Sequence, residues 1–281
     1  MPRLFTRSLL VLLLLAMLGG ATFLARPLTA EDAEGDGDDA IPPGPKVYMG
    51  REIAQTMHYA GAPWLIRESR EREEECSTLL EQFDIQPGQI ICDMGSGNGF
   101  YTLKMAAQLE GQGQVLAVDI QPEMLRLLQA RARAEELDCG DVVLEPPADR
   151  DYGEALIVPI IGSLVDPYLP EGKVDLCICV DVYHEFSHPE QMLAAIRKSL
   201  APQGRLVLVE FRSEDPNVPI KPLHKMSKAQ VLKELLPNGF KLVKQYDELP
   251  WQHVMFFERD EAWQPEAATA AENSSDDSSD E

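Results

Sequence analysis

Two patterns of apolar and polar positions alternate along the chain. Short runs that are apolar almost throughout are typical of strands covered on both faces, and longer segments with apolar residues at helical spacing are typical of amphipathic helices. The predicted strands span residues 89–94, 114–120, 155–161, 174–182, 205–211, 240–246 and 253–258. The predicted helices span residues 68–83, 101–109, 122–137, 189–200 and 228–236. This alternation predicts a mostly parallel sheet with helices on both faces.

The connection between the last two predicted strands is too short to hold a helix. It is centred on Leu249-Pro250-Trp251, and parallel strands need a longer crossover, so we expect an antiparallel hairpin. The predicted fold class is therefore α/β, a doubly wound, mostly parallel seven-stranded sheet with an antiparallel C-terminal hairpin strand. Residues 144–154 fit no element and are expected to form a surface insertion.

The amino-terminal residues have the composition of a targeting segment. Arg3 and Arg7 precede an apolar run at 9–18 and then a stretch of small residues, which is the layout of a secretory signal. The uncharged run at 8–25 is also nearly long enough to cross a bilayer of about 30 Å. Residues 1–30 are therefore predicted to be a signal peptide or a membrane anchor, and the protein is expected to be exported or membrane-anchored.

The net charge of the chain is −22, from 47 acidic and 25 basic residues. Acidic residues are concentrated at 31–40 and 266–281, which contain no basic residue. Such segments repel themselves and stay solvated, so we expect an acidic, Pro-rich linker at 31–46, a folded domain at 47–262 and a disordered tail at 263–281. An acidic protein of this kind is not expected to act on nucleic acid.

The cysteines predict neither a disulfide framework nor a metal site. Their number, five, is odd, and their spacing is not that of zinc ligands. Three of them, Cys92, Cys177 and Cys179, fall inside predicted buried strands, where a cysteine behaves as a small apolar residue. No metal ligand is predicted from the sequence.

The most informative motif joins the first predicted strand to the helix that follows it. Asp93 closes the strand, and Gly95, Gly97 and Gly99 alternate in the turn. Glycine allows a sharp turn and a close approach of the backbone to a ligand. Asp119 closes the next strand, where a carboxylate usually receives the two ribose hydroxyls of a nucleoside.

Glycine-rich turns also occur in dinucleotide sites, in phosphate-binding loops and as purely structural turns. A dinucleotide site requires glycine or alanine where this chain has Phe100, which disfavours nicotinamide and flavin dinucleotides. A phosphate-binding loop with lysine followed by serine or threonine is absent from the motif. A structural turn without a ligand is the plain alternative.

Taken together, Asp93-x-Gly95-x-Gly97-x-Gly99 and Asp119 resemble motif I and the next acidic motif of the class I S-adenosylmethionine-dependent methyltransferases. Residues 174–176 and 200–207 are similar to the fourth and fifth strand motifs of that family. The sequences DVYHEF and PLHK, at 181–186 and 222–225, resemble a bacterial subgroup of the family without a settled substrate. The resemblance covers residues 85–260 and implies a Rossmann-like methyltransferase fold.

The resemblance also implies a place for S-adenosylmethionine. Asp93 would contact the amino group of the methionine moiety, and the glycines of the turn would lie against the cofactor. Asp119 would hold the ribose, with Ile120 near the adenine. The adenine edge would be met near Ser163 and Leu164. Asp181 would border the cofactor as well.

Candidates for catalysis and for substrate binding lie in later loops. His184 is the first candidate for a general base because an imidazole titrates near neutral pH, and Glu185 would pair with it; the alternative is that His184 bonds the backbone of its loop. Lys221, His224 and Lys225 form a basic cluster that would receive an anionic group of the substrate, or a solvated loop. The aromatic segment before residue 65 is expected either to cover the site as a lid or to pack against the sheet.

The leading functional hypothesis is a methyltransferase that acts on a small molecule. The alternatives are a non-catalytic protein that binds S-adenosylmethionine or S-adenosylhomocysteine, and a protein methyltransferase at a membrane. Export of the domain conflicts with the cytosolic supply of S-adenosylmethionine.

Overall fold

A computed structural model describes residues 41–264. Its nine strands are β1 (Val47–Tyr48), β2 (Arg51–Glu52), β3 (Ile90–Met94), β4 (Gln114–Asp119), β5 (Ile157–Ile161), β6 (Val174–Val180), β7 (Leu200–Phe211), β8 (Phe240–Tyr246) and β9 (Gln252–Arg259). Its six α-helices are α1 (Arg70–Glu74), α2 (Cys76–Phe83), α3 (Phe100–Gln108), α4 (Pro122–Ala134), α5 (Pro189–Ser199) and α6 (Lys228–Leu235).

Strands β3 to β9 form a seven-stranded sheet in the order β5-β4-β3-β6-β7-β9-β8. The first five strands in that order are parallel, and β9 lies antiparallel between β7 and β8. Strands β8 and β9 pair directly, which confirms the predicted hairpin. Strands β1 and β2 form a small separate ladder.

Both faces of the large sheet are covered by apolar side chains. Successive residues of a strand point to opposite faces, so Ile91 packs with side chains of α2 and α3, whereas Cys92 packs with side chains of α5 and α6. This double coverage explains why the strands of the sheet are apolar almost throughout. The buried cysteines are part of this core, and all five cysteines have free thiols.

One predicted helix is interrupted. The pattern at 68–83 predicts a single helix, but the structure has two, with Glu75 between them in the left-handed conformation at φ 47°. The break turns Arg70 and Glu74 toward the protein interior, where the two side chains form a buried ion pair. The helical periodicity of residues 68–83 therefore corresponds to real helices. The buried ion pair between Arg70 and Glu74 cannot be recognised from that periodicity alone.

Contacts of the folded domain reach beyond the predicted boundaries at both ends. The carbonyl of Pro42, in the predicted linker, accepts a hydrogen bond from His188 Nε2 at 2.8 Å. Trp263, in the predicted tail, donates from Nε1 to the carbonyl of Pro237 at 2.7 Å. Aromatic and backbone contacts thus extend the packed domain beyond 47–262.

The predicted signal or anchor segment at 1–30 lies outside the described residues, as does most of the acidic tail. Within residues 41–264, no helix combines the length and the apolar character needed to cross a membrane. Residues 144–154 contain no helix or strand, as expected of an insertion.

Candidate active site

A cavity of about 750 Å³ lies at the carboxyl ends of strands β3, β4 and β6. Met94, Asp119 and Val180, which end or nearly end these strands, line its floor. The loops after β5, β6 and β7 line its sides, together with residues 47–69, which we call the arm. Ligands of open α/β sheets bind at this edge, where neighbouring strands lead to helices on opposite faces.

The glycine turn after β3 brings the backbone against the cavity. Gly95 and Gly97 line the cavity and have φ values of +67° and +53°, in the left-handed region that favours glycine. A Cβ on Gly95 would lie 2.6 Å from the side chain of Val182, and one on Gly97 would lie 2.7 Å from Leu65 Cδ1. Both positions therefore require glycine, as the motif predicts.

Gly99 has a different role from the other two glycines. It precedes α3 with φ +79°, and a Cβ there would lie 2.7 Å from Leu128 Cγ of α4. Gly99 does not line the cavity. The sequence assigns this residue to cofactor binding, but the structure gives it a packing role, because it allows α3 and α4 to approach closely.

Asp93 is almost fully buried and does not itself line the cavity, although the next two residues, Met94 and Gly95, do. The hydroxyl of Thr102 donates to its Oδ2 at 2.5 Å. Burial disfavours the charged carboxylate and raises the pKa of Asp93 to about 7. Asp93 can therefore change its charge near neutral pH.

Asp119 connects the glycine turn to the end of β4. Its Oδ2 accepts from the backbone N–H of Gly97 at 2.9 Å, and its Oδ1 accepts from that of Gln121 at 2.8 Å. Burial raises the pKa of Asp119 against the effect of these hydrogen bonds. Each carboxylate oxygen has a second lone pair, so Asp119 can also accept from ligand hydroxyls. Ile120 follows it and is 38% exposed in the cavity wall.

The loop after β5 supplies Ser163 and Leu164 to the cavity. The Ser163 hydroxyl is committed to its own loop, since it accepts from the N–H groups of Val165 and Asp166 at 3.2 and 2.9 Å. Leu164 is 41% exposed and offers an apolar surface. This loop therefore contributes an apolar wall, with its one hydroxyl holding the turn.

Asp181 follows β6 with a φ of 56°, and it lines the cavity. Gln252 of β9 donates to its Oδ2 at 2.7 Å. Its Oδ1 is buried without a hydrogen-bond partner among the described residues. Burial raises the pKa of Asp181 well above its ordinary value. A protonated carboxyl group at this position can donate a hydrogen bond to a ligand.

His184 lies next in the same loop, in the short 3₁₀ helix Tyr183–Glu185. Its Nδ1 is 2.7 Å from Oε2 of Glu210, and its Nε2 is 3.1 Å from Nδ1 of His224. Both ring nitrogens thus face side chains, and not the backbone of the loop that the alternative interpretation gave as their partner. Glu210 is fully buried on β7 and orients the imidazole, a role that the sequence analysis assigned to Glu185.

Glu185 instead lines the cavity next to His184 and His224. Its Oε1 is 3.9 Å from His184 Nε2 and 3.9 Å from His224 Nδ1. We call His184, Glu185 and His224 the imidazole–carboxylate cluster; all three line the cavity. The spacing of the sequence predicts no such group, because its members come from two loops that meet only in the fold.

The charges within this cluster influence one another. Burial favours neutral His184, but the Glu210 carboxylate outweighs it, so the pKa of His184 lies above its ordinary value. Burial raises the pKa of Glu185 to about 7. The pKa of His224 is lowered by partial burial and by the nearby His184 and Lys221.

The predicted basic cluster is divided in the structure. Lys221 and His224 line the cavity. Lys225 does not, and its Nζ donates to the carbonyl of Asp215 at 3.2 Å. The structure therefore does not bring Lys225, which follows the 3₁₀ helix at Pro222–His224, to the cavity with the other two residues.

The arm covers the cavity and is also fastened to the domain. Met57, Trp64 and Leu65 line the cavity from the arm. Arg51 makes two hydrogen bonds to the buried carboxylate of Glu234 on α6, at 2.8 and 2.9 Å. It also donates from Nη1 to the backbone carbonyl of His184, in the loop after β6. The arm is thus both a cover and a packed element.

Arg70 is a buried cation in the cavity wall that the sequence analysis did not single out. Its Nε donates to Glu74 at 2.8 Å, and its Nη1 donates to the carbonyl of Leu65 at 2.7 Å. The guanidinium also lies over the ring of Phe100, 4.3 Å from its centroid. The signal in the sequence is weak, because arginine and glutamate four residues apart usually form an exposed pair on a helix.

The order of the strands and the glycine turn at their carboxyl ends define the Rossmann-like fold of S-adenosylmethionine-dependent methyltransferases. A solved structure of a SAM-dependent methyltransferase from Aquifex aeolicus has this fold. It aligns with a TM-score of 0.61 and 18% identity over 72% of this chain and 98% of that one.

Sequence comparison points to the same class. Residues 92–208 match the family model described as a methyltransferase domain. The chain is 30% identical over 141 residues to an uncharacterised methyltransferase-like protein of Schizosaccharomyces pombe, covering 50% of this chain and 45% of that protein. It is 31% identical over 134 residues to acetylserotonin O-methyltransferase of Mus musculus, covering 47% of this chain and 30% of that enzyme. The chain thus spans less than half the length of these relatives.

Proposed function

We propose that this domain transfers a methyl group from S-adenosylmethionine to a small molecule. The observation that carries the proposal is one cavity lined by two sets of residues, which we treat as its cofactor part and its acceptor part. The glycine turn and Asp119 form one part, and the imidazole–carboxylate cluster lies in the other, under the same arm. A donor and an acceptor bound in these two parts would lie next to each other, as a direct transfer requires.

The first part suits S-adenosylmethionine in shape and charge. Asp119 has free lone pairs for ribose hydroxyls, and the backbone at Gly95 and Gly97 leaves room for close contact. We assign the amino group of the methionine moiety to Asp93 and its carboxylate to the buried guanidinium of Arg70. A buried cation and a buried carboxyl group then meet opposite charges on the ligand.

When bound, S-adenosylmethionine supplies a methyl group whose bond to sulfur breaks as the new bond to the acceptor forms, with the electron pair staying on sulfur. The chain's own residues align the two reactants and exclude water from between them. Met57 and Trp64 of the arm, which line the cavity, provide this exclusion. An acceptor oxygen or nitrogen loses a proton during the reaction. The imidazole–carboxylate cluster is the polar group in the acceptor part of the cavity that can receive this proton.

A small acceptor fits this site better than a protein chain. The arm covers the cavity, and the acceptor part also has apolar walls at Phe211 and Ile220. A methyltransferase acting on proteins needs a broad open groove, and a purely cofactor-binding protein has no use for a buried imidazole–carboxylate pair beside the cofactor. The name of acetylserotonin O-methyltransferase indicates a small acceptor for that relative.

The proposal is tested first by calorimetry on the full chain with S-adenosylmethionine, S-adenosylhomocysteine and NAD. We expect micromolar dissociation constants for both sulfur nucleosides, about −8 kcal/mol, and no binding of NAD. Binding of NAD and of neither sulfur nucleoside would refute the proposal. Formation of S-adenosylhomocysteine in a mixture of the protein with S-adenosylmethionine and a cell extract would then separate an enzyme from a binding protein.

A further inference from the structure

Three electron-rich atoms converge on one point of the acceptor part of the cavity. They are Nε2 of His184, Nδ1 of His224 and Oε1 of Glu185, separated by 3.1, 3.9 and 3.9 Å. Each residue offers one atom, and the three atoms lie within 4.8 Å of one another. Two imidazoles and one carboxylate are the protein ligands of several catalytic zinc sites.

Glu210 determines which nitrogen of His184 is available. A neutral His184 that donates from Nδ1 to the Glu210 carboxylate, at 2.7 Å, carries its lone pair on Nε2. That lone pair then points at His224 and Glu185. A carboxylate behind a histidine in this way is the usual support of a metal-binding histidine, because it fixes the tautomer and raises the basicity of the ligand nitrogen.

The distances agree with a metal ion of ordinary size. Zinc–nitrogen and zinc–oxygen bonds of 2.0–2.2 Å in a tetrahedron separate neighbouring ligand atoms by about 3.3–3.5 Å. The observed separations of the three side-chain atoms, 3.1 to 3.9 Å, extend to both sides of this range. A shift of about half an ångström of the Glu185 carboxylate would close the triangle around an ion.

We propose that His184, Glu185 and His224 bind one divalent first-row transition-metal ion, with Zn²⁺ as its representative. Two imidazole ligands disfavour Mg²⁺ and Ca²⁺, which prefer oxygen. Three protein ligands leave a coordination position open, and all three side chains line the cavity, so the open position faces the acceptor.

The role of the ion rests on the proposed function. An acceptor hydroxyl or thiol fills the open position, and the ion lowers the pKa of that group. The O–H or S–H bond breaks with the electron pair staying on the acceptor, and the proton passes to water. The resulting alkoxide, phenolate or thiolate attacks the methyl group. The expected substrate is therefore a small, largely apolar molecule that carries an ionisable hydroxyl or thiol.

The test is a calorimetric titration of the full chain with Zn²⁺, after removal of metal with a chelator and with no histidine tag. We expect one saturable Zn²⁺ per chain. His224→Ala and Glu185→Gln should each weaken its affinity by well over about 100-fold, because residues that only support a ligand typically cost about 10–100-fold. His224 is about one-third exposed and Glu185→Gln keeps the side-chain size, so both variants should fold; their thermal midpoints check this.

The matched control is His58→Asn. It removes an exposed histidine that does not line the cavity, and it keeps a hydrogen-bond acceptor for the N–H of Ala60. The control carries the same acidic segments as the wild type, so weak binding of Zn²⁺ to those segments is common to all samples. We expect the control to bind Zn²⁺ as the wild type does. Absence of saturable binding, or equal weakening in the control, would overturn the metal site.

The two proposals fail separately. S-adenosylhomocysteine affinity, measured on the same samples, tests the cofactor part of the cavity and should be unchanged in His224→Ala. Loss of S-adenosylhomocysteine binding with intact Zn²⁺ binding would refute the proposed function and leave the metal site standing. Absence of Zn²⁺ binding with intact S-adenosylhomocysteine binding would refute the metal site alone. With Co²⁺ in place of Zn²⁺, the intensity of the visible absorption should report four-coordination in the wild type and be lost in His224→Ala.

Discussion

At the scale of single residues, Asp119 has two roles that a substitution can separate. It receives two backbone N–H groups that shape the cofactor part of the cavity, and it keeps lone pairs for a ligand. Asp119→Asn retains one acceptor oxygen but has no charge. We expect cofactor affinity to fall by about 1–3 kcal/mol, measured by calorimetry.

The same substitution should lower stability by about 1 kcal/mol, because one backbone N–H loses its acceptor. Asp141→Asn, at a fully exposed side chain, is the control and should change neither quantity. Unchanged cofactor affinity together with a larger loss of stability would show that Asp119 only holds the turn.

Asp93 should make cofactor binding depend on pH. Its pKa is about 7 in the folded protein, above the ordinary value of 3.8. Ionisation of Asp93 therefore costs stability as pH rises between these values. The ammonium group of the methionine moiety needs the ionised form. Cofactor affinity should thus rise as pH increases toward 7, by up to about tenfold per unit.

Calorimetry between about pH 5 and 6.5 measures this dependence, below the range in which a ligand α-amino group loses its own charge. Asp93→Asn should bind the cofactor more weakly and with a flat profile. A wild-type profile that is equally flat would mean that Asp93 does not meet the ammonium group.

The acceptor side is tested by His184→Ala and Glu210→Gln. Both should lower turnover, His184→Ala by about 10²–10⁴-fold, with cofactor affinity near that of the wild type, because neither side chain belongs to the cofactor part of the cavity. Glu210→Gln should have the smaller effect, since Glu210 acts through His184, which it orients at 2.7 Å and whose pKa it raises. Joint loss of cofactor affinity and thermal stability would instead assign His184 a structural role in its loop.

At the scale of elements, one buried ion pair helps to hold the arm on the domain. Arg51 joins the arm to Glu234 on α6, and the Glu234 side chain is fully buried. Arg51→Ala leaves this carboxylate without its cation, so we expect a loss of about 3 kcal/mol in the free energy of unfolding, measured by denaturant titration. The exposed pair of Lys198 and Glu171 is the control; Lys198→Ala should change stability by only a few tenths of a kcal/mol.

The elements themselves were largely predictable, whereas the contacts between them were not. Strands such as β3 and β4 are apolar because both faces of the sheet are covered, and that pattern is local in the sequence. The glycine turn was predictable for the same reason. The partnership of His184 with Glu210 joins residues 26 positions apart, and that of Arg51 with Glu234 joins residues 183 apart. In the sequence, Glu210 is recognisable only as a single carboxylate within an apolar strand.

Local sequence also failed where tertiary contacts override it. Residues 201–204, with proline and glycine, are typical of a turn, yet they lie within β7, which begins at Leu200 beside Val174. Gly99 belongs to the motif, but its place is determined by the nearby Leu128. In both cases a neighbour distant in sequence decides the outcome.

At the scale of the whole molecule, cofactor binding should raise thermal stability, because the site is assembled from distant parts of the folded chain. A ligand at about 100 times its dissociation constant stabilises the folded state by about 2.7 kcal/mol. For a domain of this size we expect the midpoint to rise by about 5–11 °C. S-adenosylhomocysteine should produce this shift in differential scanning calorimetry and NAD should not; an equal shift with both would show unspecific stabilisation.

The position of β9 decides the order in which the sheet can be completed. It is the last strand in sequence, yet it lies between β7 and β8, and its first residue, Gln252, holds Asp181 at the cavity. Until this strand has left the ribosome, β8 has no partner in the sheet and the outer edge of β7 stays open. The nascent chain therefore carries an unpaired strand edge from the emergence of β7 until that of β9, the kind of surface on which partly folded proteins aggregate. Insertion of β9 closes that edge by pairing with β7 and β8 at once.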